Sequence, residues 1–561
     1  MNRYLIINLR RNGDILSSAR LINSIIVNDN KSNVDILAYK EFKNAAKCLR
    51  QVDKFYFIDR KKILTLKKSS LFSDGFAINY FHKFMNEVKK NNFYKIINMS
   101  NDHVSAYMTS YLSENKKKYH GIRFSKNNTI ESSNQWAMLF NEVLTEYQHT
   151  PIHYIDCYHK ILEIPLKRGV KLLKSKSDHE EMASKNFSII RKNISTSDIE
   201  KKIIGIQLKS SVRKKEISKE VLIATLKRLL ESKKYFPVIL IAPIEKERQY
   251  IKEINAHFDD SLVTVEADFL AVISVIKNLD LLLTPDTVVK HIADLINIPI
   301  LEISLGNAPF LKQGIYNTKG IVLTDSLKKR IFKSNRKTSS QSNITDRDII
   351  ECIDYMFTEM KANLNLSTDV ALYKTTQDAL GVRYDLITGS YDPALEITRL
   401  MSRYYISVIM DVSNTFPREI LRFSADSINK WVYDQKDHVN NATRNLLNTL
   451  RSLLSIKENL YKIQKFVWDL DKLLAYCNSS SIVAIPTLLF SAGIESISDT
   501  TNIKNIKNIE RLIYKLKEHY QTAIICIKHL EKNCFDNHIK ISREKLVESR
   551  KRGKRDGQLQ I

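Results

Sequence analysis

Short apolar runs alternate with amphipathic stretches along the first part of the chain. Runs at 4–9, 34–38, 54–58 and 94–98 read as strands, separated by segments whose apolar residues recur at helical spacing. After a polar, Lys-rich stretch the pattern resumes, with strand candidates at 203–207, 238–242, 262–265, 281–284 and 299–304. Strand–helix–strand repetition predicts parallel sheets covered on both faces. The reading is therefore two successive α/β lobes, at 1–165 and 203–345, joined by a linker at 166–202 that holds one helix. Around 334–346 the chain turns to Ser, Lys, Asn and Thr, as loops do. From about 364 to 561 the alternation is replaced by long helical spacing, as at 442–463 and 506–530, which predicts an all-helical accessory domain. Its basic tail, Arg550-Lys551-Arg552-Gly553-Lys554-Arg555, reads as a solvated end that could also meet anionic lipid or nucleic acid.

Composition narrows the chemistry. The 561 residues include only 13 glycines, and no two are spaced G-x-G, so neither the dinucleotide fingerprint nor the Walker loop is present. A phosphate would have to be held by a helix N-terminus and by side chains. HExxH and CxxC are also absent, and the six cysteines are scattered, as in a reduced compartment. His153, Cys157 and His159 fall on one predicted helix, but positions i and i+6 do not share a face, so no metal site is assigned. No stretch is apolar for the roughly 18 residues of a membrane span. The start lacks the apolar core of a signal peptide, which points to the cytoplasm. The formal charge of +26 favours anionic partners. No nucleic-acid reading motif accompanies it, so specific nucleic-acid binding is not expected.

Three segments lie where ligands of open α/β sheets bind, just beyond strand ends. The first strand runs into Arg10-Arg11-Asn12-Gly13-Asp14-Ile15-Leu16. There Gly13 suits a tight turn, and Asp14 either caps the next helix or acts as a base. Lys209-Ser210-Ser211-Val212-Arg213-Lys214-Lys215 follows the first strand of the second lobe, and its hydroxyls and cations suit a diphosphate. Thr284-Pro285-Asp286-Thr287 closes an apolar strand and opens a helix holding Lys290 and His291, which reads either as a capped turn or as a phosphate-binding helix start.

Taken in this order, with the strand at 94–98 and the run Gly121-Ile122-Arg123-Phe124, these segments resemble the heptosyltransferase-type glycosyltransferases of family 9 over residues 1 to about 330. The resemblance implies a GT-B fold, two Rossmann-like lobes facing across a cleft. It implies an inverting transfer of a heptose from a nucleotide-sugar, most often ADP-heptose, to a glycan, glycolipid or protein acceptor such as a lipopolysaccharide core. Asp14 would be the base, with Asn12 and Gly13 shaping its turn. Lys209, Ser210, Ser211, Arg213, Lys214, Glu245, Thr284, Asp286, Thr287, Lys290 and His291 would hold the donor. Lys214 or its neighbours Arg213 and Lys215 would neutralise the leaving diphosphate, and neither a metal nor a tightly bound cofactor is implied. With a lipid acceptor, the basic surface would rest on the anionic inner face of the cytoplasmic membrane. Two departures stand out. Val288-Val289-Lys290 replaces the family's usual Gly-Pro-Met, and Glu216-Ile217 replaces an aromatic and a proline. They leave a second reading open, a non-catalytic scaffold with a partner-binding helical domain.

Overall fold

A computed structural model describes residues 2–556 except 69–72, 114–117, 127, 146–150, 168, 170, 196–199, 211, 306–309, 326–341, 359, 362–363, 414, 459–461 and 498–502. At 73, 457–458, 503–504 and 536–556 it describes the backbone alone. The chain divides into two compact units, one of 1–141 with 152–391 and one of 142–151 with 392–561.

The first unit holds two sheets. In the first, β1 (Asn2–Ile7), β2 (Ser32–Tyr39), β3 (Lys54–Ile58), β4 (Lys95–Asn98) and β5 (Tyr119–His120) lie in the order β3-β2-β1-β4-β5, all parallel. Its helices are α1 (Asn12–Asn28), α2 (Lys43–Lys47), α3 (Arg60–Lys68), α4 (Ser73–Lys89) and α5 (His103–Leu112). A short hairpin of β6 (Ile122–Phe124) and β7 (Ile130–Ser132) follows, with Gly121 before it at φ +101°, a conformation other residues rarely adopt. Leu5, Ile7 and Leu37 meet Met85, Val88 and Met108 in a core on one face of the sheet.

The second sheet repeats the plan. β8 (Lys202–Gln207), β9 (Tyr235–Ile241), β10 (Thr264–Glu266), β11 (Leu281–Pro285), β12 (Ile300–Ser304) and β13 (Gly320–Asp325) are parallel, in the order β10-β9-β8-β11-β12-β13. Both sheets therefore reverse their strand order beside the first strand of each, at β1/β4 and at β8/β11. Such a switch point opens a crevice at the strands' carboxyl ends. These are the two Rossmann-like lobes of the GT-B arrangement.

The structure corrects the extent of the helical part. Two further strands, β14 (Val370–Asp378) and β15 (Gly381–Gly389), lie inside the stretch 364–561 expected to be all helical. They add to β13 antiparallel and so cover an edge that would otherwise expose unpaired backbone groups. Helices take over from Pro393. Residues 142–151, assigned from the sequence to the first lobe, group with those helices, and Arg403 Nη1 donates to the Pro151 carbonyl at 2.8 Å. Buried polar pairs fix the helical unit internally. Trp431 Nε1 donates to Thr398 Oγ1 at 2.8 Å, and Gln435 Oε1 accepts from Ser481 Oγ at 2.8 Å. The last helix, Ile503–Asp556, carries its backbone through the basic tail that the sequence suggested was a solvated end. Lys, Arg and Glu are good helix formers, so the tail can continue the helix before it. Among the described residues no helix is long and apolar enough to cross a membrane.

Two buried histidines make the first unit acid-sensitive. His153 Nδ1 accepts from the Ile155 N–H while Nε2 faces the Gly314 carbonyl at 3.2 Å; burial lowers its pKa to about 3. His159 Nδ1 faces the Ile155 carbonyl and Nε2 meets Ser24 Oγ, and burial lowers its pKa to about 4. An unfolded histidine takes its proton near pH 6.5, so stability is full above that value and is lost as pH falls towards 4. The pair is expected to cost about 5 kcal/mol by pH 4.5, read as a falling urea midpoint. A midpoint unchanged from pH 7 to 4.5 would refute this.

Candidate functional site

The turn after β1 is held from inside. Asn8 donates from Nδ2 to the Asp14 carbonyl and to Ser18 Oγ, both at 3.0 Å, while its Oδ1 accepts from the Arg10 N–H at 3.2 Å. Leu9 N–H donates to Ser100 Oγ at 2.8 Å, tying the turn to the end of β4. α1 then starts at Asn12, and Asp14 Oδ2 accepts from the Arg11 N–H at 3.3 Å. Asp14 thus does the capping job, yet it also lines a cavity of about 640 Å³. Burial raises its pKa above the usual carboxylate value and Asp286 adds to the rise, against the pull of Arg10 and the Arg11 N–H.

That cavity is strongly cationic. Arg10, Arg11, Arg60, Lys214 and Lys215 line it together with Asp14, Leu9, Phe42, Val212 and Gln313. Arg10 is held over the rings of Phe140 and Tyr154 and donates to Asn101 Oδ1. Arg60 pairs with Glu41 and stacks over Tyr39. The first lobe supplies Asp14 and the arginines, and the second supplies the lysines. Both sets come from loops beyond strand ends, as the strand order requires.

Behind the cavity wall on the second lobe, Lys215 Nζ lies 2.6 Å from Asp286 Oδ2, a carboxylate that does not itself line the cavity. Asp286 Oδ1 accepts from Lys290 Nζ at 2.6 Å, and Lys290 also reaches Glu302 Oε1 at 3.1 Å and the Gln313 carbonyl at 3.0 Å. Burial alone would raise the Asp286 pKa, but Lys290, His291 and Lys215 outweigh it and hold the carboxyl well below its usual range. Lys290 is 1% exposed, and its three N–H bonds are all engaged. It therefore cannot donate to a phosphate as expected, and its role is to fix Asp286 and, through that carboxylate, Lys215.

Gly13 is in place for a different reason from the one the sequence suggested. It lies within α1, not in a left-handed turn. A Cβ there would stand 2.4 Å from His291 Cδ2, because α1 packs directly on the helix Val288–Leu295. Ser17 Oγ bridges the same contact, 3.0 Å from the Gly13 carbonyl and 3.3 Å from His291 Nδ1. Burial lowers the His291 pKa to about 4, so the ring is neutral at pH 7. Gly13→Val must push the two lobes apart locally, and misplacement on the scale of 1 Å costs about a hundredfold in rate. We expect kcat/KM to fall by about that factor with the far-ultraviolet spectrum unchanged; an unaltered kcat/KM would contradict the close-packing role.

Further helices, in chain order, are α6 (Gln135–Met138) and α7 (Tyr154–Leu162) before the linker, α8 (Ser177–Ile194) within it, and, among those of the second lobe, α9 (Lys219–Glu231), α10 (Glu245–Asn255), α11 (Phe269–Ile276) and α12 (Val288–Leu295). Thr287 is the N-cap residue of α12, and Thr284 Oγ1 lies 3.1 Å from Thr287 Oγ1. Lys209 is drawn to Glu216 at 3.1 Å and over the Tyr250 ring, and Ser210 N–H also donates to Glu216. Glu216, which replaces the family's aromatic, is thus the tie that shapes the loop. Arg213 is exposed and does not line the cavity. Ser211 lies outside the described residues. Glu245 does not face inward; its side chain is 70% exposed and pairs with Arg248. The acid that turns in is Glu247, whose Oε2 accepts from the Ala242 N–H at 2.7 Å. Neither Asn12 nor the Val288-Val289 pair lines the cavity. Among the described residues no group of His, Cys, Asp and Glu is placed to hold a metal ion.

Sequence reasoning missed Asn8, Phe42, Arg60, Glu302 and Gln313. The one available signal was Glu302, a lone carboxylate inside the apolar strand Ile300–Ser304, which demands a buried cation.

Comparison with known proteins adds a family. Residues 81–325 match the model of glycosyltransferase family 9 (heptosyltransferase), a span that includes the Lys209–Lys215 loop and the Thr284–His291 segment but begins after Asp14. No curated protein matches the chain. Similar solved structures include a family 9 glycosyl transferase from Veillonella parvula, at 16% identity over 64% of this chain and 98% of that one, TM-score 0.47. The heptosyltransferase WaaC of E. coli, solved with ADP, is 14% identical over 63% of this chain and 99% of its own, TM-score 0.44. The ADP-heptose lps heptosyltransferase II of E. coli is 13% identical over 64% of this chain and 100% of its own, TM-score 0.43. Residues 81–325 are thus similar to glycosyltransferase family 9, the heptosyltransferase family, and this domain supports a sugar-transferring glycosyltransferase.

Proposed function

We propose that the enzyme moves a heptose, with inversion, from ADP-heptose to a glycan or glycolipid acceptor in the cytoplasm. The observation that carries this is the cavity in which one carboxylate, Asp14, faces lysines and arginines from both lobes. Asp14 takes the proton of the acceptor hydroxyl as its oxygen attacks the anomeric carbon. Negative charge grows on the departing diphosphate, and Lys214 and Lys215 are the cations that meet it. Lys215 is already aimed by Asp286, so it need not reorganise during the reaction. Phe42 and the arginines of the first lobe would contact the acceptor. The scaffold reading gains no support, since the valines that motivated it stay out of the cavity.

The test is release of nucleoside diphosphate from a panel of ADP-, UDP-, GDP- and CDP-sugars. ADP-heptose is expected to turn over at least about tenfold faster than any other donor, a discrimination of about 1.4 kcal/mol. Preference for another base would replace the donor, and no turnover with any donor would overturn the reading.

A further inference from the structure

We infer that the hairpin β14–β15 is a clasp that holds the two lobes of the first unit at a fixed spacing, with Asp156 as its catch. α7 belongs to the first lobe: His159 Nε2 meets Ser24 Oγ of α1 at 3.0 Å, and Asn134 Nδ2 donates to the Ile161 carbonyl at 2.9 Å. Asp156, on that helix and 5% exposed, nevertheless turns its carboxylate to the second lobe. Its Oδ1 accepts from the Tyr316 hydroxyl at 2.5 Å, and its Oδ2 accepts from the Val382 N–H, at the start of β15, at 2.8 Å. Gly381 lets the hairpin come so close. A Cβ there would stand 1.9 Å from Asp156 Cγ, and its φ of +109° is one that other residues rarely adopt. One turn further along α7, Lys160 Nζ donates to the Ala379 carbonyl at the hairpin's tip, 3.3 Å away.

The hairpin is anchored on its own side. β14 pairs with β13, Thr375 Oγ1 donates to the Asn317 carbonyl at 2.6 Å, and the Tyr384 hydroxyl donates to the Ile315 carbonyl at 2.9 Å. A second tie runs beside it. Arg20 of α1 reaches Asp294 Oδ2 of α12 at 2.9 Å and lies 4.6 Å over the Tyr316 ring, while Asp294 Oδ1 accepts from the Tyr316 and Asn317 N–H groups. Tyr316 thus stands in both ties. Lobes of one chain move against each other by default unless a substantial contact joins them. Here buried carboxylates, whose hydrogen bonds are among the strong ones, make that contact. The clasp also bears on the cavity. Arg20 lies within two turns of Asp14 on α1, and Asp294 lies on the helix that follows the Asp286 turn, so ties between these helices fix Asp14 against Lys215. Asp156 does not line the cavity and is a positioning residue, acting through the spacing of the lobes. Its consequence for the donor rests on the proposed transfer reaction; the clasp itself does not.

The test is a distance measured by electron spin resonance on the full chain. Spin labels replace the exposed side chains of Lys83 on α4 and Lys227 on α9, one in each lobe. They are attached through non-natural side chains, so that the six cysteines take no part. The wild type is expected to give one separation that ADP moves by no more than about 2 Å, less than a hinge closure. Asp156→Ala is expected to spread the distribution to longer separations, and ADP to draw it back. Its KM for the donor is expected to rise about tenfold, the share of lobes left apart, while kcat stays within about twofold because the filled cavity is the same. Asp156→Asn can still accept from the Val382 N–H and donate to the Tyr316 oxygen, and is expected to restore both separation and KM. A role in folding alone would lower the melting temperature and leave the separation unmoved. Should Asp156→Ala fail to fold, Tyr316→Phe, which removes one hydroxyl, decides in its place and is expected to spread the lobes in the same way. A wild-type separation that ADP shortens by more than the stated margin, or a folded variant with the wild-type distribution, overturns the clasp. Variants that spread the lobes of a protein indifferent to ADP uphold the clasp and reject the donor reading; ADP binding to lobes that the variants leave unmoved does the reverse.

Discussion

Asp14→Asn is expected to lower the rate of transfer about a thousandfold while changing nucleotide affinity by no more than about twofold. The amide is nearly the same size as the carboxylate, and its oxygen can still accept from the Arg11 N–H that Asp14 Oδ2 now holds at 3.3 Å. The start of α1 therefore stays capped, and the loss reports the proton acceptor alone; alanine would remove both functions at once. The pH profile separates the roles further. A base works deprotonated, so kcat/KM climbs as pH rises through its pKa. Burial raises that pKa, and Asp286 contributes in the same direction. The acidic limb of the wild-type profile should lie above the ordinary aspartate value of about 3.9, and it should vanish in the variant. A variant that retains full rate, or a limb at the ordinary value, would remove Asp14 from the role.

Lys290→Met is the substitution with the largest expected effect on stability. Its ammonium meets Asp286, Glu302 and the Gln313 carbonyl at 2.6, 3.1 and 3.0 Å, and Glu302 is fully buried. Removing the cation strands a carboxylate in an apolar sheet, at a cost of about 3–5 kcal/mol. Asp286 keeps Lys215, whereas Glu302 keeps, among the described residues, the Ile315 N–H at 3.1 Å. Glu302→Gln added to Lys290→Met should therefore recover a good part of the loss. Urea unfolding of the four species in a double-mutant cycle measures the coupling directly. A single variant within about 0.5 kcal/mol of wild type would show that the network is not what holds the Asp286 turn.

How far the sequence alone reached depended on where each signal was written. The two lobes were legible because fully buried parallel strands, such as Leu281–Pro285, are nearly continuous apolar runs. Asp14 and the Thr284–Asp286 turn were legible because they follow such runs directly. β14 and β15 were not, since the apolar run Val370–Tyr373 is only four residues long before Lys, Thr, Gln and Asp take over, and in β15 Val382, Tyr384 and Leu386 alternate with Arg383 and Asp385. Gly13 was read as a turn residue, whereas the neighbour that excludes a side chain there, His291, is far away in sequence and close only after folding. Lys290 was misread for the same cause. A lysine near a helix start looks like a phosphate ligand until Glu302 is seen beneath it. Arg60 opens α3 and Phe42 ends a short 3-10 turn after β2, positions whose spacing in the sequence says nothing about the cavity they reach.

The cationic cavity as a diphosphate site is the claim on which the rest depends, and the affinity for ADP measured by titration calorimetry on the wild type and on Lys214→Glu addresses it directly. Lys214 lines the cavity from an exposed position, so its replacement leaves the Lys215–Asp286 pair intact. Reversing its charge beside a diphosphate should weaken ADP at least about tenfold at low salt, with a smaller difference as ionic strength rises. Equal affinities for the two proteins, or no ADP binding to either, would contradict it.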